Sequence, residues 1–94
     1  MRNIDLKKEF GASVRERRKQ LGMSQEALAE RADLHRTYVS DIENGLRNIS
    51  LENIHRIARA LDVHVSSLFL RIETGAFPKG AAANGFNGTR RAKN

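Results

Sequence analysis

Apolar residues recur at intervals of three and four along most of this 94-residue chain, which is the spacing of an amphipathic helix. The first such stretch predicts a helix over residues 5–21. Asp5 can cap its start, and Gly22 follows its last periodic residue, where glycine is common. The residues that carry the period are Leu6, Phe10, Val14 and Leu21.

A short pattern then occurs three times: an apolar residue, a capping position, and a second apolar residue four positions after the cap. This pattern is the hydrophobic staple of a helix start. Ser24 and Ser50 are good capping residues, whereas His35 is a poor one. The apolar pairs are Met23 with Leu28, Leu34 with Val39, and Ile49 with Ile54. The helices predicted in this way span residues 24–32, 35–44 and 50–61.

A fifth helix is predicted around residues 65–72. No segment alternates with period two and no hairpin turn lies between β-forming residues, so we predict no strand. We therefore expect an all-α, five-helix domain over residues 1–73. Residues 74–94 hold four of the seven glycines, the only proline and no periodicity, which predicts a flexible, basic C-terminal tail.

The charge distribution suggests a polyanionic partner, but only weakly. The net charge is +6, and residues 1–73 contribute +2 of it with 13 basic and 11 acidic residues. The tail contributes the rest and has no acidic residue. A basic balance of this kind is compatible with nucleic acid binding and with many other functions. The basic residues of the tail are Lys79, Arg90, Arg91 and Lys93.

Several classes of function lack the residues that they need. The chain has no cysteine, which excludes disulfides and thiolate metal sites and fits a reducing cytoplasm. Its apolar runs are far shorter than the roughly 20 residues of a membrane span, and its start has no signal-peptide core. We expect a cytoplasmic protein that is not an enzyme and has no cofactor, no metal, no membrane contact and no small-molecule ligand. The three histidines, which form no ligand set, are His35, His55 and His64.

The second and third predicted helices are short and are joined by a tight turn at residues 32–34, as in a helix-turn-helix. In that motif the second helix enters the DNA major groove. One face of this helix is polar and the opposite face carries Val39 and Ile42. Arg36 can hydrogen-bond guanine, and Thr37 can contact the thymine methyl group. Asp41 has two open interpretations: it accepts a hydrogen bond from cytosine, or it orients a nearby basic side chain. The full polar face consists of Arg36, Thr37, Ser40, Asp41 and Asn44.

From Phe10 to Phe69 the chain resembles the Cro and phage-repressor (XRE-like) helix-turn-helix domains, which are five-helix folds. The resemblance is carried by Phe10-Gly11, Val14-Arg15, Arg18, "GMSQEALAERADL", "RTYVSDIENG", "NISLENIHRIARALDV" and "SSLF". Within the family, "DLHRTYVSDIENGLRNISL" looks closest to the controller proteins of restriction-modification systems. Arg17 departs from the pattern, because the family often has an apolar residue there.

The resemblance implies roles for individual residues. Gln25 would touch phosphate and brace the recognition helix, and Arg18 with Glu43 would form an internal salt bridge. Base reading is implied for Arg36, Thr37, Ser40 and Asp41, and contact with the DNA backbone for Tyr38, Asn44, Arg47 and Asn48. For Tyr38, packing at the edge of the core is the alternative. The implied dimer surface on the fifth helix is formed by Leu68, Phe69, Leu70 and Ile72, unless that helix only closes its own core.

These observations predict a homodimeric transcriptional regulator that binds a near-palindromic operator on double-stranded DNA. The alternative is an antitoxin-like module whose main partner is another protein and whose DNA binding is secondary. A large apolar patch outside the dimer surface would favour that alternative.

Overall fold

The computed structural model describes residues 4–77. Five α-helices follow one another, and this part of the chain has no β-strand element, as the sequence predicts. The prediction of a flexible tail concerns residues that, beyond Phe77, lie outside the described range. The helices are α1 (Leu6–Gln20), α2 (Gln25–Ala32), α3 (Arg36–Glu43), α4 (Leu51–Ala60) and α5 (Val65–Thr74).

Side-chain caps fix where three of the helices begin. The Asp5 carboxylate accepts a hydrogen bond from the Lys8 amide at 3.2 Å, at the start of α1. The hydroxyls of Ser24 and Ser50 accept from amides in the first turns of α2 and α4, at 3.0 and 3.2 Å. Each bond satisfies an amide that has no partner within its helix. His35 makes no such bond, which confirms that it is a poor cap.

The apolar stripes of all five helices meet in one core. Its fully covered side chains come from every helix, and rings of α1 and α5 meet at Phe10 and Phe69, whose centroids are 5.3 Å apart. The first members of the three staples pack against the edge of this core. They are Met23, Leu34 and Ile49. The staples therefore set the angle at which the chain enters each helix.

α5 belongs to this core more fully than its sequence suggests. Leu68 has no exposed surface and Ile72 is 6% exposed, because α5 packs against both α1 and α4. Only Leu70, at 40%, presents a large exposed apolar surface, while Phe69 is half-buried. Leu68 and Ile72 thus fill the core of their own chain, and of the four predicted dimer residues only Leu70 and part of Phe69 are exposed. The dimer surface itself stays a prediction.

Arg17 ties α1 to the end of α4. Its Nε donates to the Leu61 carbonyl at 3.0 Å and a terminal nitrogen donates to the Asp62 carbonyl at 3.4 Å. Carbonyls at a helix C-terminus have no partner within the helix. The departure from the family pattern at this position therefore gives a capping contact in place of an apolar one.

α1 and α3 approach each other closely at Gly11. A Cβ atom added there would collide with the Ile42 carbonyl oxygen and would lie 2.7 Å from the Glu43 carbonyl oxygen. Backbone cannot move aside as a flexible side chain can. Glycine at this position therefore lets α1 lie directly against the end of the helix that carries the polar face.

We expect Gly11→Ala to lower the free energy of unfolding by about 1–3 kcal/mol, because the added methyl group overpacks the contact. Urea unfolding monitored by circular dichroism measures it. In an open helix the same change would stabilise the protein by up to about 1 kcal/mol. A gain in stability would therefore show that the two helices are not in close contact.

Candidate nucleic-acid interface

α2 and α3 form a helix-turn-helix. The turn comprises residues 33–35, and Asp33 adopts a left-handed conformation with φ of 59°. The Leu34 amide then donates back to the Ala29 carbonyl at 2.8 Å. This hydrogen bond satisfies a carbonyl at the end of α2, and the left-handed residue turns the chain within three residues. α3 therefore starts at a defined angle to α2.

α3 divides into a buried and an exposed face. Val39, Ile42 and Glu43 are buried, and Ser40 and Asp41 are half-buried. Arg36 and Thr37 are exposed in the first turn, and within residues 4–77 their side chains have no hydrogen-bond partner. Because these side-chain donors have no partner within the described residues, they are available to a ligand. The first turn is also where a recognition helix contacts bases.

Asp41 and Arg47 form an ion pair with a distance of 3.3 Å between Oδ2 and Nε. Half of the Arg47 side chain is exposed, so the pair contributes little to stability. This ion pair is compatible with the interpretation in which Asp41 orients a basic side chain, and it does not decide between the two interpretations that the sequence leaves open. The role of Asp41 as a base contact stays a prediction.

Tyr38 lies under this ion pair. The Arg47 guanidinium carbon is 5.0 Å from the centre of the Tyr38 ring, which is within the range of a cation–π contact. The Tyr38 hydroxyl accepts a hydrogen bond from Asn53 at 3.0 Å. Asn53 carries no signal in the sequence beyond its place in the first turn of a predicted helix, so sequence reasoning missed it. It links α4 to the exposed edge of α3.

The loop between α3 and α4 carries the other residues predicted to follow the DNA backbone. Asn44, Arg47 and Asn48 are all exposed. Leu46 and Leu51 are the most exposed large apolar residues in the described part, at 69% and 82%. Gly45 takes φ of 74° and lies over the backbone of Lys8, so this loop begins against the start of α1.

A buried charged cluster joins α1, α2 and α3. The Arg18 guanidinium donates two hydrogen bonds to the Glu43 carboxylate, at 2.6 and 3.0 Å, and a third to the Met23 carbonyl at 2.8 Å. The Gln25 amide donates to the same carboxylate at 3.1 Å. Gln25, the first residue of α2, is thereby held against α3, in the place where the resemblance puts a brace.

Burial makes this cluster costly to break. The side chains of Arg18 and Glu43 are 11% and 2% exposed. The hydrogen bonds to Glu43 raise the pKa of Arg18 above its usual value, which is the direction expected when the charged form of the arginine is stabilised. A buried carboxylate without its partner would bear the full cost of desolvation.

Neither a metal-binding group nor a membrane-spanning helix is found among the described residues. Between residues 4 and 77 no group of three or more His, Asp or Glu side chains is placed to hold a metal ion. No helix in the same range is long and apolar enough to span a membrane.

We expect Arg18→Met to destabilise the protein by about 3–5 kcal/mol, because Glu43 would remain buried without a cation. In the double variant Arg18→Met/Glu43→Leu much of that loss should be recovered, since both charges are gone. Chemical denaturation of the single and double variants gives the coupling free energy. A single variant within about 1 kcal/mol of wild type, as for an exposed pair, would contradict the role of this cluster.

Comparison with known proteins places this geometry in a family. A helix-turn-helix family model matches residues 14–68. The control protein C.BamHI of Bacillus amyloliquefaciens is 55% identical over 60 residues, which are 63% of this chain and 74% of the relative. The control protein C.MunI of a Mycoplasma species is 46% identical over 70 residues, which are 73% of this chain and 95% of the relative.

Solved structures agree with these sequence matches. The restriction-modification controller protein C.AhdI of Aeromonas hydrophila superposes with a TM-score of 0.68 and is 44% identical, over 70% of this chain and all of that one. The controller protein C.Esp1396I, solved as a tetramer in complex with its natural 35 base-pair operator, gives a TM-score of 0.69 at 30% identity, over 76% of this chain and 93% of that one. The chain therefore belongs to the helix-turn-helix family, and within it to the group that includes the restriction-modification controller proteins.

Proposed function

We propose that this protein is a transcriptional regulator that binds a near-palindromic operator as a homodimer, with α3 in the major groove. The observation that carries the proposal is the exposure of the Arg36 and Thr37 side chains, together with their lack of a hydrogen-bond partner in the described part of the chain. Both are exposed and unpartnered within residues 4–77, and both lie in the first turn of the second helix of a helix-turn-helix. In this proposal the protein acts in the cytoplasm, and it acts by binding and not by catalysis.

Two groups of side chains would contact DNA, one at the base edges and the other at the phosphates. Contacts with base edges give sequence preference, whereas contacts with phosphates set the position of the protein and contribute affinity. Because the Arg47–Asp41 pair is exposed and weak, Arg47 can leave it for a phosphate at little cost. We assign base reading to Arg36, Thr37, Ser40 and Asp41, and backbone contact to Gln25, Tyr38, Asn44, Arg47 and Asn48.

A homodimer is the assembly that fits an operator with two-fold symmetry. The relative C.Esp1396I binds its 35 base-pair operator as a tetramer, so more than one subunit meets DNA there. In a dimer of this chain, two recognition helices separated by about 34 Å would read successive major grooves on one side of the duplex. Leu70 and the exposed part of Phe69 are the apolar surface that α5 offers to the second copy.

Selection of binding sites from random duplex DNA, at a stated salt concentration, tests the proposal. We expect an enriched motif with two-fold symmetry, in which the half-sites are separated by about one helical turn. Selection that enriches no motif, or binding that is equal for all sequences, would contradict it.

On the selected site we expect Arg36→Ala to cost about 1–3 kcal/mol of binding free energy and to relax preference at one base position. The reason is that an arginine held against guanine makes two hydrogen bonds that a wrong base cannot replace. Quantitative binding to a set of single-base variants measures both effects. Arg15→Ala, an exposed change on α1, is the matched control. If Arg36→Ala weakens all sequences equally, Arg36 contacts phosphate and does not read bases.

We expect Leu70→Gln to weaken self-association by about tenfold or more, because each subunit loses the burial of a leucine side chain. Sedimentation equilibrium over a range of concentrations measures it. Leu21→Gln is the control, since Leu21 is exposed to the same extent, 39% against 40%, but lies at the end of α1. Equal effects of the two changes would place the dimer surface elsewhere.

A further inference from the structure

A basic cleft lies between the end of α2 and the middle of α4. Its volume is about 380 Å³. The base-reading residues Arg36 and Thr37 take no part in its lining. Two helices build it from positions that are far apart in the sequence, and the residues that line it are Arg31, Ala32, His55, Arg56, Arg59 and Ala60.

Most of the positive charge in this cleft is not compensated. Arg56 pairs with Asp33 at 3.7 Å, but the Asp33 side chain is 97% exposed. Among residues 4–77, Arg31 and Arg59 have no ion-pair or hydrogen-bond partner. The cleft thus holds three guanidinium groups beside one carboxylate that points largely into water.

Helix stability accounts for only part of this arrangement: Arg31 and Arg59 lie in the last turns of α2 and α4, where a positive charge interacts favourably with the helix dipole. Arg56 and Arg59 are three residues apart on one helix face, where like charges destabilise a helix by a few tenths of a kcal/mol. Arg31 adds a third positive charge from α2. Residues of two helices line this cleft, and a concave site lined by one sign of charge concentrates the field and attracts anions.

Guanidinium groups suit one class of anion in particular. Their planar fork donates two parallel hydrogen bonds to a phosphate group. We infer that the cleft of Arg31, Arg56 and Arg59 binds a phosphate group, supplied either by the DNA backbone beyond the half-site or by a phosphorylated small molecule.

The cleft is also linked to the recognition helix. Arg56 donates a hydrogen bond to the Asp33 carbonyl at 3.3 Å, and Asp33 is the left-handed residue that ends α2 just before α3. Arg56 therefore joins the cleft to the turn that positions α3.

The test uses the full chain and two double variants. Arg31→Gln/Arg59→Gln removes two cleft charges, and it leaves the fold intact because both side chains are exposed and unpartnered within residues 4–77. Arg15→Gln/Lys19→Gln removes the same charge from exposed positions on α1 and is the matched control. Thermal unfolding of both variants checks that stability is equal.

The first arm is a titration with inorganic pyrophosphate, followed by amide chemical shifts in NMR. We expect saturable shifts centred on Arg31, Ala32, Arg56 and Ala60. The cleft variant should weaken this binding by about tenfold or more, since charge-assisted hydrogen bonds are removed, and the control should not. This arm is independent of the proposed function, so it stands even if no DNA motif is found.

The second arm measures how DNA affinity depends on salt, with a duplex that extends beyond the selected motif. If the cleft holds backbone phosphate, the cleft variant lowers the log–log slope by about 1–2, because each neutralised phosphate contributes about 0.9 to the slope, and the control leaves it unchanged. A lowered slope identifies DNA as the source, and saturable pyrophosphate binding with an unchanged slope identifies a free phosphorylated ligand. If pyrophosphate produces no saturable cleft shifts and both variants have the same slope, the inference is wrong.

Discussion

The contact between Arg18 and Glu43 is the interaction on which the arrangement of this protein depends. It joins α1 to the last residue of α3, and the same carboxylate holds Gln25 at the start of α2. A buried ion pair of this kind is not a large source of net stability, because both charges lose their water. The contribution of this ion pair is to fix how the three helices are placed relative to one another. Three hydrogen bonds converge on one carboxylate, and all three are satisfied in this relative placement of the three helices.

The close contact at Gly11 also fixes the placement of α1 relative to α3. The added Cβ would meet the carbonyls of Ile42 and Glu43, so α1 lies directly against the end of α3. One end of α3 is therefore fixed by backbone contact and by the ion pair, and the opposite end is fixed by the turn after α2. The exposed face between them stays available, and its first-turn residues Arg36 and Thr37 make no hydrogen bond within the described part of the chain. A rigid helix with unpartnered donors suits recognition, since little order has to be gained on binding.

Local signals in the sequence predicted the fold well because each acts within a few residues. Ser24 and Ser50 mark helix starts through bonds to amides three residues later, and Gly22 marks a helix end through its positive φ of 67°. Contacts between distant segments were harder. Four apolar residues in α5 suggested an exposed surface, yet Leu68 and Ile72 are covered by helices on two sides. Nothing in the local pattern says how many neighbours a helix has.

The contacts of the polar face of α3 were equally hard to predict from the sequence. The face of α3 followed from helical spacing, but the partners of its side chains did not. Asp41 meets Arg47 across a loop, and Tyr38 meets Asn53 from α4. The basic cleft likewise unites Arg31 with residues of α4 that are more than twenty positions away. Such groupings depend on packing angles between helices, which spacing along one helix does not specify.

Chemical protection of DNA tests most directly whether α3 reads the major groove. Dimethyl sulfate methylates guanine N7 in the major groove and adenine N3 in the minor groove. On a duplex carrying the selected motif, we predict protection of guanine N7 at symmetry-related positions in both half-sites, with adenine N3 still reactive. We predict loss of the guanine protection in Arg36→Ala. Protection confined to adenine N3 would contradict the placement of α3 in the major groove. Guanine protection that persists in Arg36→Ala would contradict the assignment of Arg36 to base reading.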